Sequence, residues 1–409
     1  MKKQIHPAIK AHLLRHMPLL LSLLAFCVIP FALGKWQIDV PSPKANPTGN
    51  VCIHGWSPGP DLPSPAVRSV GVYFYTGKFY LMGGRSSDSA GSDFTHPFEY
   101  DPFSDSWITK SATYPDNQVN NMACGVLNDS GTDYIYCVGG SAAGATTATD
   151  RVFRYDPVTD TINSIPAPWP GDADGITLPG GFTVFENKLY ILGGFQINSA
   201  MTDKIYEFTP GTNAWVLKTA TMPAPRGYIP TVAYATFIYT FGGSLWNGTT
   251  LEDANDSFRY DPIVDSITSV TNIPRATGET QALAFTEAGP CTQIRVMGGG
   301  RTPPNPSNEV DSYFPCTDTW TTGEPFVTAR RNFATDTTHE RWIYVAGGYD
   351  NTGVPVSSME IFCYEAPTPS EPPHFTPTPT PMPTATPSAT PRNTPTPRPR
   401  PVPRSRPTP

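Results

Sequence analysis

VRSVGVYFYTGKFYLMGGRSSDSAGSDFTHPFEYDPFSDSW, residues 67–107, decides the architecture. It opens on an apolar run, turns at Thr76-Gly77-Lys78 and returns as FYLMGG. A polar stretch follows, then HPFEYDP, a second turn and Trp107. Short apolar runs bounded by Gly, Asp and Pro predict four strands in an antiparallel meander.

The glycine pair that ends FYLMGG recurs. IYCVGG closes at Gly140, LYILGG at Gly194, IYTFGG at Gly243, IRVMGG at Gly299 and IYVAGG at Gly348. Counted from Gly84, the intervals are 56, 54, 49, 56 and 49 residues. Self-similarity at this period marks a repeat architecture and folds the chain into one closed object. The pairs are Gly83-Gly84, Gly139-Gly140, Gly193-Gly194, Gly242-Gly243, Gly298-Gly299 and Gly347-Gly348. A bare backbone there lets inner strands approach closely. A phosphate-binding loop would need a helix and a further glycine in phase, and none of these loops has them.

A second landmark is an aromatic residue followed seven positions later by Trp or Ile. The pairs are Tyr100/Trp107, Tyr155/Ile162, Phe208/Trp215, Tyr260/Ile267 and Tyr313/Trp320. The turn between them opens with Asp-Pro at Asp101, Asp156 and Asp261, where Asp closes an Asx-type turn and Pro presets φ. Glycine pair, Tyr-Asp-Pro turn and Trp together resemble the kelch repeat, over residues 51–365. That resemblance implies an all-β, six-bladed β-propeller with four antiparallel strands per blade.

The sixth repeat runs out of chain before its fourth strand. VCIHGWSPGPDLP, with Trp56, supplies the missing strand, so the last blade is expected to close through the N-terminal segment. On this blade plan the mature cysteines pair as Cys52–Cys363, Cys124–Cys137 and Cys291–Cys316. Cys52 precedes Trp56 by four residues, as Cys316 precedes Trp320. An even count of cysteines fits an oxidising compartment.

Composition divides the rest. Residues 1–34 read as a signal peptide: Lys2, Lys3, Lys10 and Arg15 precede an apolar stretch that ends in small residues before Lys35. Residues 35–50 read as an extended linker. Residues 366–409, almost all Pro, Thr, Ser and Arg, read as a disordered, polyproline-like tail. The expected location is extracellular, periplasmic or cell-surface associated. Residues 35–365 carry 19 Lys+Arg against 34 Asp+Glu, a balance of −15, which argues against nucleic acid as partner. The tail's five arginines against Glu371 could contact an anionic cell envelope.

Catalytic signatures are sparse. The mature chain has His54, His96, His339 and His374, in no metal-binding spacing, and no G-x-S-x-G elbow. GDADG at 171–175 begins like a calcium loop but lacks its later ligands. No cofactor or metal is expected. Galactose-oxidase-like chemistry would need clustered histidines, and the sialidase box is missing. Sialic-acid mutarotases resemble this chain in being secreted six-bladed kelch propellers, which implies arginines and a carboxylate at the channel mouth. Arg85, Arg226, Arg301 and Arg330, with Glu279, are the candidates, beside Arg275 and Arg331. Trp246 and Tyr349 could stack on a sugar ring. The competing expectation is that these arginines glue blades together. The reading favours a monomeric binding module for a protein or glycan, using loops on one propeller face, over a carbohydrate-active enzyme.

Overall fold

The computed structural model describes residues 52–171, 177–287, 291–302, 305–339 and 341–365. The stretches read as signal peptide, linker and tail lie outside these residues, as does the GDADG loop beyond Gly171. Among the described residues there are six four-stranded antiparallel sheets and no helix. Five are built in chain order, over 70–109, 123–165, 177–221, 231–270 and 282–322. The sixth joins Ala334–Thr337, Trp342–Ala346 and Met359–Cys363 to Gly55–Gly59 from the other end of the chain.

The aromatic landmark is a cross-strand pair. Trp107 faces Tyr100, Trp215 faces Phe208, Trp320 faces Tyr313, and at the closure Trp56 faces Phe362. Ring centroids in these pairs lie 5.4, 4.9, 5.1 and 5.3 Å apart. Each indole N–H also reaches the connection leaving the preceding blade. Trp107 donates to the Pro60 carbonyl, Trp215 to Ala167, Trp320 to Thr271 and Trp56 to Glu324. Blades two and four carry Ile162 and Ile267, which have no N–H to give. There Asp160 accepts the Ser111 and Ala112 amides, and Asp265 accepts those of Thr219 and Ala220.

Apolar side chains collect between blades, not in one central core. Phe74 and Met82 of blade one meet Ile135 and Phe153 of blade two. Leu81 of blade one meets Tyr344 and Ile361 of blade six. Each of the remaining seams has its own cluster. Inner strands touch their neighbours around the whole circle.

The glycine pairs sit on these seams. A Cβ on Gly83 would lie 2.2 Å from the Val119 carbonyl oxygen of the next blade, and one on Gly347 would lie 2.3 Å from that of Ala66. Both have positive φ, +61° and +70°. The following glycine donates across the same seam, Gly84 to Val119 and Gly348 to Ala66. Disulfides join Cys52 to Cys363, Cys124 to Cys137 and Cys291 to Cys316. The first of these ties the two ends of the described chain across a separation of 311 residues.

Candidate functional site

The first strand of each blade lines the propeller axis, and five are approached through a left-handed residue. These are Arg68, Asn121, Tyr228, Glu279 and Asn332, with φ of 59°, 57°, 51°, 58° and 52°. The left-handed bend hands the backbone of each to a neighbouring blade. Asn121 donates its N–H to the Arg68 carbonyl, Arg68 to Asn332, Asn332 to Glu279, and Glu279 to Tyr228, at 2.7–3.0 Å. The result is a belt of backbone hydrogen bonds around the channel mouth. Blade three contributes Pro179 and Gly180 to the same wall. The open pocket within the belt has a volume of about 50 Å³.

Glu279 is the buried charge of this belt. Arg301 Nε donates to its Oε1 at 2.7 Å and Arg331 Nη1 to its Oε2 at 2.6 Å. Burial pushes the carboxyl pKa up, but Arg301, Arg331 and Arg68 outweigh it and bring the pKa down to about 2. Arg301 is aimed by a neighbouring element. Asp253, at the end of the Ser244–Trp246/Leu251–Asp253 hairpin, accepts the Arg301 and Thr302 amides at 2.7 and 2.8 Å.

Arg68 shares its carboxylates, since Glu279 is held by Arg301 and Arg331 and the nearby Asp88 by Arg85. Its guanidinium stands 5.7 Å from the Tyr349 ring centre, and Arg331 stands over the same ring at 4.6 Å. Burial works against the Arg68 charge, but Tyr228, Glu279 and Tyr349 hold its pKa above the ordinary value. Arg68 Nε and Asn332 Nδ2 are buried donors without an acceptor among the described residues.

Of the residues singled out from sequence, Glu279 and Arg301 meet at the mouth. Arg85 lies to one side, neutralised by Asp88 and bonded to the Tyr349 hydroxyl. Arg226 and Arg330 do not belong to the site. Arg226 is buried, with its fork on Asp256 and on the Gly242 carbonyl. Arg330 is equally buried, bound to Glu360 and to the Gly347 and Ser358 carbonyls. Arg275 repeats the device on Gly298 and Asp311. These three hold loops together, and a glycine-pair carbonyl is the common acceptor. Tyr349 is 2% exposed, so its face is not open to a sugar ring. Trp246 is half-buried, 5.7 Å from the Phe195 ring, on the rim beside Tyr228. Among the described residues no cluster of His, Cys, Asp and Glu could hold a metal.

Sequence reasoning missed Arg68, Tyr228 and Asn332, because a left-handed non-glycine residue leaves no motif. The signal that could have found them is position: each lies two or three residues before the first strand of its blade.

A six-bladed ring sealed by glycine pairs and Trp-to-backbone bonds defines a kelch-type β-propeller. The comparisons support a kelch-repeat β-propeller. A family model described as Kelch motif matches residues 124–162. Kelch-like protein 35 of Mus musculus is 30% identical over 163 residues, covering 38% of this chain and 24% of that protein. Kelch-like protein 25 of Xenopus tropicalis is 25% identical over 270 residues, covering 64% and 41%. The chain thus spans well under half the length of these curated relatives. The solved structure of YjhT superposes with a TM-score of 0.57 at 14% identity, covering 74% of this chain and 96% of that one. That likeness is one of fold. Kelch propellers typically serve as interaction modules.

Proposed function

We propose that this chain is a secreted or cell-surface binding module that takes a protein or glycan ligand at the channel mouth and its surrounding loops. One observation carries the reading. Arg68, Arg301 and Arg331 converge on a single carboxylate, Glu279, so the mouth is positive on a body whose balance is −15. A cationic concavity on an acidic surface focuses its field on anionic groups and steers them in. Trp246 and the loops after the glycine pairs form the rim a larger ligand would touch. Secretion is supported by the three disulfides and by the leader-like composition of residues 1–34.

A glycan array probed with the full chain, alongside capture of candidate protein ligands, tests the module. Binding is expected to fall with Trp246→Ala and with Arg301→Gln. Binding that ignores both substitutions sinks the assignment to this face.

A second reading, a sugar-acid mutarotase-like enzyme, draws on Glu279 standing among arginines. Against it, a carboxylate held near pKa 2 is a poor proton acceptor at neutral pH. Anomeric exchange of sugar acids followed by NMR decides between them. Exchange abolished by Glu279→Gln would establish the enzyme, and no exchange would remove it.

A further inference from the structure

We propose that Asn247-Gly248 is a self-modifying site, where the chain converts its own asparagine to aspartate or isoaspartate with water as co-reactant, and that this ageing loosens the hairpin around it. The chemistry is independent of what the channel mouth binds. Asn247 and Gly248 lie at the exposed tip of the hairpin that pairs Ser244–Trp246 with Leu251–Asp253. Among the asparagines of the chain only Asn247 precedes a glycine.

The nucleophile is the Gly248 backbone nitrogen. A side chain on that residue would crowd its approach, and glycine has none. An added Cβ there would meet nothing within 4 Å, so the tip is open to solvent on that side. No acceptor among the described residues takes the Gly248 N–H, so no hydrogen bond within the protein has to break first. The electrophile is the side-chain carbonyl carbon of Asn247, Cγ, and it is already polarised. The Thr249 and Thr250 N–H groups donate to Asn247 Oδ1 at 2.9 and 2.8 Å. Two backbone donors aimed at the oxygen where negative charge develops act as an oxyanion hole.

In the reaction the Gly248 nitrogen bonds to Cγ and gives its proton to solvent. The Cγ–Nδ2 bond then breaks, and Nδ2 leaves as ammonia with a proton from solvent. One water opens the resulting cyclic imide. Opening at the side-chain carbonyl gives aspartate, and opening at the backbone carbonyl gives isoaspartate. The net change takes up water and releases ammonia, with no oxidation or reduction. Both products lose Nδ2, which donates to Glu252 Oε1 at 2.5 Å and to Thr250 Oγ1 at 3.1 Å. Aspartate sets a second negative charge against Glu252, and isoaspartate also adds a backbone carbon to the tip. The pairing of Trp246 with Leu251 weakens, and with it the strand end where Asp253 holds the Arg301 amide.

Ageing the full chain in mildly alkaline buffer, followed by peptide mapping with mass spectrometry and an isoaspartate assay, tests the site. Asn198 is the internal comparison: it is exposed at the tip of another hairpin but precedes Ser199. Asn247 is expected to convert at least about tenfold faster than Asn198, and Gly248→Ala should slow it by a similar factor. Asn247→Gln should remove the fast phase of ammonia release without needing glycine to be replaced. Hydrogen exchange should rise in Ser244–Asp253 of the aged protein and stay unchanged in Gly55–Gly59. The proposal is overturned if Asn247 converts no faster than Asn198, if Gly248→Ala ages like the parent, if ammonia release survives Asn247→Gln, or if the converted hairpin exchanges as the fresh one does.

Discussion

Arg330 and Arg331 are adjacent in sequence and part company in space. They lie in a short strand paired with Tyr349–Asp350, and successive side chains of a strand take opposite faces. Arg330 turns into the protein, onto Glu360 and two carbonyls, while Arg331 turns to Glu279 at the mouth. Residue type alone could not choose between them, because an arginine fork serves a blade seam and a ligand equally well. Replacing Arg330 by Met strands Glu360 without its partner. We expect a loss of about 3 kcal/mol in equilibrium denaturation, not restored by Lys, whose single point charge cannot replace the fork. Glu279 has a pH signature. Its folded pKa, about 2, lies below the ordinary 4.5, so its stabilisation is complete above about 4.5 and drains away as pH falls towards 2. Denaturation midpoints measured across that window should slope downward with acid, and Glu279→Gln should flatten the slope. Asp160 and Asp105 offer a paired comparison. Both accept a tyrosine hydroxyl, but Asp160 also takes two amides from the preceding blade. Asp160→Ala should therefore cost more than Asp105→Ala, by on the order of 1 kcal/mol per stranded amide. Equal losses in thermal unfolding would contradict the assigned seam role.

The strands were legible because their patterning is physical. An apolar run ending in two glycines means a strand crowded by its neighbour, and the seam geometry bears this out at Gly83 and Gly347. The Trp-to-aromatic interval was legible because a tight turn fixes which residues face each other. The arrangement of Asp160 and Asp265 was not read, since aspartate after such a turn has many uses. The left-handed belt was hidden for a different reason. Arg68, Tyr228 and Glu279 are not residue types that favour positive φ, and the ring of backbone bonds is what holds them there. The glycine seam yields a controlled test. Gly347 and Gly353 have similar φ, +70° and +81°, but an added Cβ meets the Ala66 carbonyl at the first and nothing within 4 Å at the second. Gly353→Ala should cost about 1 kcal/mol, the left-handed penalty alone, whereas Gly347→Ala should cost several times that. Matched melting temperatures for the two variants would refute the crowding argument.

The ring as a whole depends on one composite blade. Counting repeats exposed the missing strand, and the orphan Trp56 showed where it came from. What counting could not reveal is how the mouth is charged, because that depends on which loops meet across blades. The closing blade is held by Gly55–Gly59 pairing with Met359–Cys363 and by the Cys52–Cys363 crosslink. Substituting both cysteines by serine should lower stability by about 2–4 kcal/mol. Hydrogen exchange should then rise first in Gly55–Gly59 and in its partner strand, and uniform exchange across all blades would argue against a weak point at the closure. The same crosslink sets the protein's response to tension. Pulled by segments beyond its two ends, the chain would pass the load from Cys52 to Cys363, whose Cα atoms are 5.6 Å apart. The 311-residue separation between them would carry almost none of it. A covalent bypass of this kind makes the propeller a rigid link in a tether. It could bear mechanical load between two attachments while the channel mouth kept its shape.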